Sequence, residues 1–580
     1  MRIKNAESDE NRIMILEALS KYYHKLKIES PERMPDFGFS WQNIHYEICI
    51  DEDGRLIELH ALTIMENETT PRALIVPKSI EERSGAKIKP HFLWDNTMYV
   101  LGADNKEKPE RAKAAFNAFK SYHSHVADVI TDEGIIAVLK FLNNWNPKKA
   151  CLLPGWDDMA GKNIVFRLKS EKNFVHERPV VTSYWKKKIN SKKGGFCSEC
   201  LVTGQRSEIA RIHPTIKGIM GAQKKGASII SFNKDAFKSY GKDQSFNSPV
   251  GVRSAFYYTT ALNHLLRYES ENKIQIGDAA AVFWSDERSS VENIVKILIS
   301  PGYGNEESMA VKKAIEEPDV LMKEINPDAY FNFLTLSPNG SRLSVRLWSR
   351  LRAYEILENL RQHFMDLKIV KTYETEPDYP GLWKLLKETA LQRKTENISP
   401  GLAGAVTWSV ICREKYPKTL LIALINRIRS DRIVNYVRAS MIKAYLVRSS
   451  RMNGEETEVS VSLNMTTKNK SYRLGRLLAV LEKIQRKTLT KIRSSLKDRY
   501  YTYASATPAT VFPLLLRQNN EYIKKLKKDK NAVAGELEKM LEEIVMEIDV
   551  FPENLDLTSQ GMFALGYYHQ KNAISELSDT

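Results

Sequence analysis

The sequence predicts an α+β protein: mixed α/β N-terminal and central domains followed by a C-terminal all-α helical bundle. Three observations carry that prediction. Alternating apolar residues separated by turn signals recur through the first 350 positions. Helical spacing takes over from Arg350. At 580 residues the chain is too long for one ordinary domain, and its 42% hydrophobic content is ample for several cores. The predicted division is an N-terminal extension at 1–13, a mixed domain at 14–150, a central domain at 151–348, a helical region and linker at 349–464, and a bundle at 465–580.

The elements follow in order. Ile15, Leu19, Tyr22 and Leu26 sit at helical spacing. Ile44, Tyr46, Ile48 and Ile50 alternate, Asp53-Gly54 turns the chain, and RLIELHAL returns as the second arm of a hairpin. ALIVP and FLWDNTMYVLG read as strands, and 108–145 as helices. Gly161 to Leu168 and Gln275 to Trp284 read as strands, with a helix at Ser254 to Tyr268 between them. Tyr330 to Trp348 reads as strand, turn, strand, built on Ser337-Pro338-Asn339-Gly340. Pro377 to Pro380 and 449–470 are the expected linkers. In the C-terminal segment Leu474, Leu477, Leu478, Leu481 and Ile484 form one apolar stripe, and Arg473, Arg476, Lys483, Arg486 and Lys487 fall on the opposite side. A second stripe is Leu537, Met540, Leu541 and Ile544. Two such helices predict a small bundle with a basic outer face.

Charge is the strongest functional signal. The net charge is +16, and it is concentrated. Residues 183–253 hold 14 basic and 4 acidic residues, a net of +10. Residues 465–530 hold 17 and 4, a net of +13, whereas 531–580 hold 2 and 10, a net of −8. A single run is often only a solvated face, but two blocks of this strength favour a polyanionic partner. No run of about 18 apolar residues predicts a membrane span. The polar start MRIKNAESDENRIM and five scattered cysteines lead to the expectation of a reducing, cytoplasmic setting.

Catalytic signals are weak. Gly221 to Ser228, GAQKKGAS, has the spacing of a phosphate-binding loop, but Ala227 stands where the decisive lysine belongs. Such a loop still offers backbone N–H groups to a phosphate. Cys197 and Cys200 form a CxxC without a second pair, and His213 is the nearest histidine, so a zinc site is not expected. His123 and His125 form HxH without an HD dyad, and Asp51 and Asp53 suit a hairpin turn. No GxSxG anchors a serine triad. No active site, metal or cofactor is expected. The rivals to a binding protein are a metal-dependent nuclease with ligands scattered through the sequence, and a scaffold that touches only acidic protein partners.

A string of blocks in order resembles one family. They are MILEALSKYYHKL from Met14, FGFSWQNIHYEICIDEDGRL, FLWDNTMYVLG, the 200–266 block beginning CLVTGQRSEIARIHP, IGDAAAVFWSDE, LTLSPNGSRLSVRLW, YPKTLLIALINRIRSD, VRASMIKAYLVR, YRLGRLLAVLEKIQ, DRYYTYASATPATVFPLLL and VFPENLDLTSQGMFALGYYHQK. Together they cover most of 14–571 and resemble the large subunit of the type I-C CRISPR surveillance complex (Cascade). The chain departs from the family's pattern at Glu414-Lys415, where a glycine is expected before Tyr416-Pro417.

The resemblance implies a non-enzymatic subunit that binds CRISPR RNA and target double-stranded DNA. It implies backbone and small subunits as neighbours, and a helicase-nuclease that docks later. It implies that the N-terminal domain inspects the protospacer-adjacent motif. Base pairing then reads most of the sequence, while the protein reads the motif and the backbone. The candidates for motif contact are Arg72, Lys78, Arg83, Lys87, Lys89, His91 and Asn96, around FLWDN. The candidates for backbone contact are Lys217, Lys224, Lys225, Lys242 and Arg253 in the central block. In the C-terminal block they are Arg473, Arg476, Lys483, Arg486, Lys487, Lys491, Arg493 and Arg499. The resemblance also implies that the C-terminal part resembles the small subunit and can be made from an internal start, for which Met465 is the candidate.

Overall fold

In the computed structural model the described residues are 2–5, 14–63, 71–78, 88–105, 108–191, 194–267, 270–276, 278–287, 290–299, 305–317, 326, 329–456, 459–489, 494–529 and 533–576. They are α+β, with sheets in the first 352 residues and helices thereafter. The chain forms two compact units. One comprises 14–217 and 225–264; the other comprises 1–13, 218–224 and 265–580.

The unit of 14–217 and 225–264 is built on a four-stranded sheet. Its order is Leu56–Ala61, Tyr46–Ile50, Asn163–Leu168, Trp94–Asn96. The predicted hairpin forms, with Ile48 opposite Leu59. Asp51 closes its turn by accepting the N–H groups of Asp53 (3.1 Å) and Arg55 (2.8 Å). Asn163–Leu168 pairs parallel with Tyr46–Ile50 and antiparallel with Trp94–Asn96. A boundary at 150 would therefore cut this sheet, which is why 14–150 does not close by itself. Phe39–Ile44 and Arg72–Pro77 form a separate ladder. Only the last three residues of FLWDN are strand; Thr97–Val100 is a helical turn.

The helices Pro109–Ala127 and Glu133–Asn144 fall where helical spacing puts them. Their apolar faces bury Phe119, Val138 and Phe141 beside Ile48, Phe92, Phe166 and Trp185 in one core. The helix Ile15–Glu29 meets Val252–Leu265 through Tyr23 stacked on Tyr257, with ring centroids 4.7 Å apart.

The second unit carries a five-stranded sheet of order Arg2–Asn5, Arg342–Arg352, Tyr330–Asn339, Ala279–Ser285, Lys273–Ile276. Arg2–Asn5, within the expected extension, is its parallel edge strand. The single strand expected over Gln275 to Trp284 is an antiparallel hairpin. Pro338 and Asn339 belong to a strand, and the reversal lies one step later, at Gly340-Ser341. Phe283, Phe331, Phe333 and Leu347 of this sheet share one core with every long helix from Ala353 onward.

The helix Lys470–Thr488 lies at the centre of the C-terminal helices and packs against Leu496–Ala504, Pro508–Lys528, Ala534–Met546 and Leu557–Glu576. It is buried nearly all round rather than along one stripe. A Cβ on Gly475 would meet the carbonyl oxygen of Phe563, and one on Gly566 would meet that of Tyr472. The two helices thus touch backbone to backbone, which only glycine permits. The 465–580 segment does not stand apart in core terms: Gly561 faces Ile442, Leu421 and Leu446, and the Tyr568 hydroxyl donates to the Val370 carbonyl (2.7 Å). The expected linker at 449–470 starts later, because the helix Tyr436–Asn453 runs on to a left-handed Gly454 (φ 74°).

Candidate nucleic-acid interface

The motif-contact candidates gather around Trp94. Its indole N–H donates to the Pro77 carbonyl (2.6 Å), tying FLWDN to the strand that begins at Arg72. The His91 ring stacks flat on Trp94 at 4.2 Å, and its backbone N–H donates to the buried Asp95 carboxylate (2.9 Å). The other Asp95 oxygen accepts the N–H of Asn96 (2.9 Å). Leu93, fully buried, takes a left-handed backbone (φ 60°) and donates its N–H to His123 Nε2 (2.9 Å). His123 Nδ1 donates to the Phe119 carbonyl (2.8 Å). With both ring nitrogens engaged, the HxH histidine is a core pin. Burial holds it neutral, pulling its pKa down to about 4.

On that scaffold Arg72 and Lys89 are exposed and Lys78 is half-buried, its backbone N–H donating to Gly38 (2.8 Å). Arg83 and Lys87 lie outside the described residues. Asn96 occupies the N-cap position of Thr97–Val100, but its side chain makes no cap bond. Its Oδ1 is buried and accepts no hydrogen bond from the described residues. A buried acceptor without a donor costs about 1–3 kcal/mol. Asn96 therefore has unused hydrogen-bonding capacity.

The central block is a short hairpin, Cys197–Glu199 with Arg206–Glu208, followed by turns and loops up to the helix Val252–Leu265. Cys197 and Cys200 are free thiols. Cys200 is buried and its sulfur accepts the N–H of Gly251 (3.2 Å), so it organises the loop. His213 Nδ1 meets the Tyr258 hydroxyl (2.7 Å), and burial lowers its pKa to about 4. The GAQKKGAS segment is closed at its base by paired hydrogen bonds between Ile216 and Ala227 (2.8 and 2.9 Å), and residues 229–234 directly after it are not helical, so no helix N-terminus adjoins it as in a phosphate-binding loop. Lys217, Lys225 and Lys242 are exposed, and their ammonium groups pair with no carboxylate among the described residues. Lys224, also exposed, belongs to the other unit. Arg253 is partly engaged: its guanidinium lies 4.7 Å over the Phe37 ring and donates to Asn190 Oδ1 (2.9 Å).

The C-terminal set divides sharply. Arg473 and Arg476 are buried, which corrects the basic outer face expected of them. Arg473 donates to the carbonyls of Thr467 and Glu547 (both 2.7 Å), and Arg476 to Gln570 Oε1 (2.8 Å). The physical reason is that their helix is central, so a charge opposite the apolar stripe still faces a neighbouring helix. Lys483 is half-buried. Arg486 is exposed but bonded to Glu482 (3.0 Å), and Lys487 and Arg499 are exposed. Lys491 and Arg493 lie outside the described residues. Exposed cations outside the candidate set include Lys525 and Lys528 on Pro508–Lys528, which have no carboxylate partner among the described residues. Their charge run was visible in sequence, but no apolar stripe had been assigned to give it a face.

Among the described residues no three His, Cys, Asp or Glu side chains converge in a way that could hold a metal ion. No described helix is long and apolar enough to cross a membrane. Arg413, just before the Glu414-Lys415 departure, takes a left-handed conformation (φ 56°) of the kind glycine adopts without strain. In comparison with known proteins, a family model described as CRISPR-associated protein (Cas_Csd1) matches residues 19–575. No curated protein matches the chain.

Proposed function

The chain belongs to the CRISPR-associated Cas_Csd1 protein family, and from that premise we propose that it is the non-catalytic large subunit of a type I-C RNA-guided antiviral complex. In this reading it holds CRISPR RNA and the opened target DNA by their phosphates. It inspects the protospacer-adjacent motif around Asn96 and Lys89. It then offers a surface to the helicase-nuclease. The observation that carries the nucleic-acid part is the group of exposed lysines at 217, 225 and 242, none neutralised by a carboxylate among the described residues. Counterion release from the phosphates they replace would drive binding and make it salt-dependent.

The test is to co-express the gene with its neighbours, purify the assembly, and ask for co-purifying CRISPR RNA and salt-dependent binding of a matched duplex. The same preparation is incubated with DNA and Mg²⁺ or Mn²⁺. Cleavage by this chain alone, lost with a specific carboxylate, would install the nuclease reading instead. Association with acidic proteins and none with nucleic acid would install the scaffold reading.

A further inference from the structure

Among the described residues the most exposed large aromatic side chain stands on a braced turn inside the central basic block. Tyr240 is 97% exposed. Ser239, Tyr240, Gly241 and Lys242 form a tight reversal, with the Lys242 N–H donating to the Ser239 carbonyl (2.9 Å). Both central residues have positive φ, 50° at Tyr240 and 68° at Gly241, the pattern of a type I′ turn. Gly241 adopts that conformation freely. A tyrosine does not: asparagine or glycine is the residue such a position favours.

The turn is held from below. Asn247 Oδ1 accepts the Ser239 N–H (2.8 Å), and its Nδ2 donates to the carbonyls of Lys242 (2.8 Å) and Gln244 (2.9 Å). Lys238 is clamped between Asp235 (3.0 Å) and Asp243 (2.9 Å). Lys234 and Lys242 remain exposed beside it without such partners among the described residues. A bulky side chain held in a disfavoured conformation, on a stand of hydrogen bonds and 97% exposed, gains nothing from packing in the fold and points to a role outside it.

We propose that Tyr240 is a base-stacking finger: its ring takes the face of an unpaired nucleobase while Lys242 and Lys234 hold the flanking phosphates. The chemistry fits. An unstacked base presents a flat apolar face that any sequence can offer, and an aromatic ring is its usual platform. The lysines select a polyanion over an apolar protein surface. The rigid turn limits the order lost on contact. The inference rests on the nucleic-acid reading above and deepens it, because it separates single-stranded from duplex binding: a base within a helix has no free face.

The test uses the full-length chain and labelled oligonucleotides of about a dozen nucleotides, single-stranded or duplex, at fixed low salt. Tyr240→Ala should weaken single-strand affinity about tenfold and leave duplex affinity within about twofold, whereas Tyr240→Phe and Tyr240→Trp should retain single-strand binding. A single strand bearing 5-iodouracil should photocrosslink to the peptide containing Tyr240. Tyr240→Asn is the decisive partner variant. Asparagine suits the left-handed position, so the melting temperature should hold or rise while single-strand affinity falls. If the wild type binds single strands in a salt-dependent way, and Tyr240→Ala binds as tightly with no crosslink at Tyr240, the finger is refuted and the nucleic-acid reading stands. If the wild type binds neither DNA nor RNA, both fall. If Tyr240→Ala loses binding only to vesicles of anionic phospholipid, the ring is a membrane contact and the finger is again refuted.

Discussion

At the scale of single residues, His123 shows how a motif can mislead. Its ring is consumed by Phe119 and Leu93, and it can accept the Leu93 N–H only while neutral. Unfolded histidine titrates near 6.5 and this one near 4, so the unfolded chain binds more protons between those values. Its contribution to stability is therefore intact above pH 6.5 and declines as pH falls toward 4, by at most about 1.4 kcal/mol per pH unit. Thermal melts from pH 7 to pH 4 should show that loss. His123→Phe should melt lower than wild type at pH 7, by about 1–3 kcal/mol for the orphaned N–H, yet show a shallower decline. Asn96 predicts differently. Asn96→Ala should hold or raise stability, because it removes a buried acceptor without a donor, and, in the assembled complex, reduce discrimination between correct and altered motifs by roughly 1–3 kcal/mol, read by competition binding. Lys89→Ala should instead weaken both targets alike and shallow the salt slope by about 1. The resemblance made Asn96 a candidate, whereas Asp51 could be read as a turn residue from local chemistry. Sequence could not reveal that His123 is pinned, because Leu93 is 30 positions away and the bond exists only in three dimensions.

At the scale of elements, the contact between Lys470–Thr488 and Leu557–Glu576 is the most sharply testable. Glycine inside a helix normally costs up to about 1 kcal/mol relative to alanine. Gly404, in the helix Pro400–Ile411, has nothing within 4 Å of its would-be Cβ, so Gly404→Ala should stabilise by roughly 0.5–1 kcal/mol. Gly475→Ala and Gly566→Ala should destabilise by about 1–3 kcal/mol or more, because the methyl group meets a backbone carbonyl that cannot rotate away. Opposite signs from one substitution type, measured by denaturant unfolding, are the check. Helix existence and length were legible throughout this region from apolar spacing. Burial was not. A stripe of Leu474, Leu477, Leu478, Leu481 and Ile484 tells which side is apolar, but not that Arg473 and Arg476 on the other side would be enclosed as well. The same holds for Arg438 and Arg448, both buried and bonded to Glu388 (2.8 Å) and Asp366 (2.9 Å). Charge counted along a sequence therefore overstates charge available to a partner.

At the scale of the whole molecule, the order of secondary structure could be read from sequence but its grouping could not. The family blocks located the chemistry, while the closure of a sheet by Asn163–Leu168 and the shared core from Phe283 to Tyr568 depend on contacts between distant positions. That grouping bears on the proposed product from Met465, which is 61% exposed just before the helix Lys470–Thr488. The product would keep that helix and the four around it. It would lose Leu421, Ile442 and Leu446, which Gly561 faces, and the Val370 carbonyl that accepts the Tyr568 hydroxyl. Expressed alone, residues 465–580 should be helical by circular dichroism but melt at lower temperature than the full chain. Replacing Met465 with a non-start codon should remove any such product from cells. Triple reversal of Lys217, Lys225 and Lys242 to glutamate should lower DNA affinity steeply and flatten its salt slope while the melting temperature holds.

The parallel pairing of Tyr46–Ile50 with Asn163–Leu168 also has a consequence during synthesis. The first hairpin leaves the ribosome with the Tyr46–Ile50 edge open, and its partner strand follows only after roughly a hundred more residues. At about 5–20 residues per second that is a wait of roughly 5–20 s. For that interval Ile48 and Ile50 lie on a strand paired along one edge only, its other edge able to join a neighbouring nascent chain. Slow codons placed between positions 62 and 162 should therefore lower the soluble fraction of the protein, and the same codons placed after 168 should not.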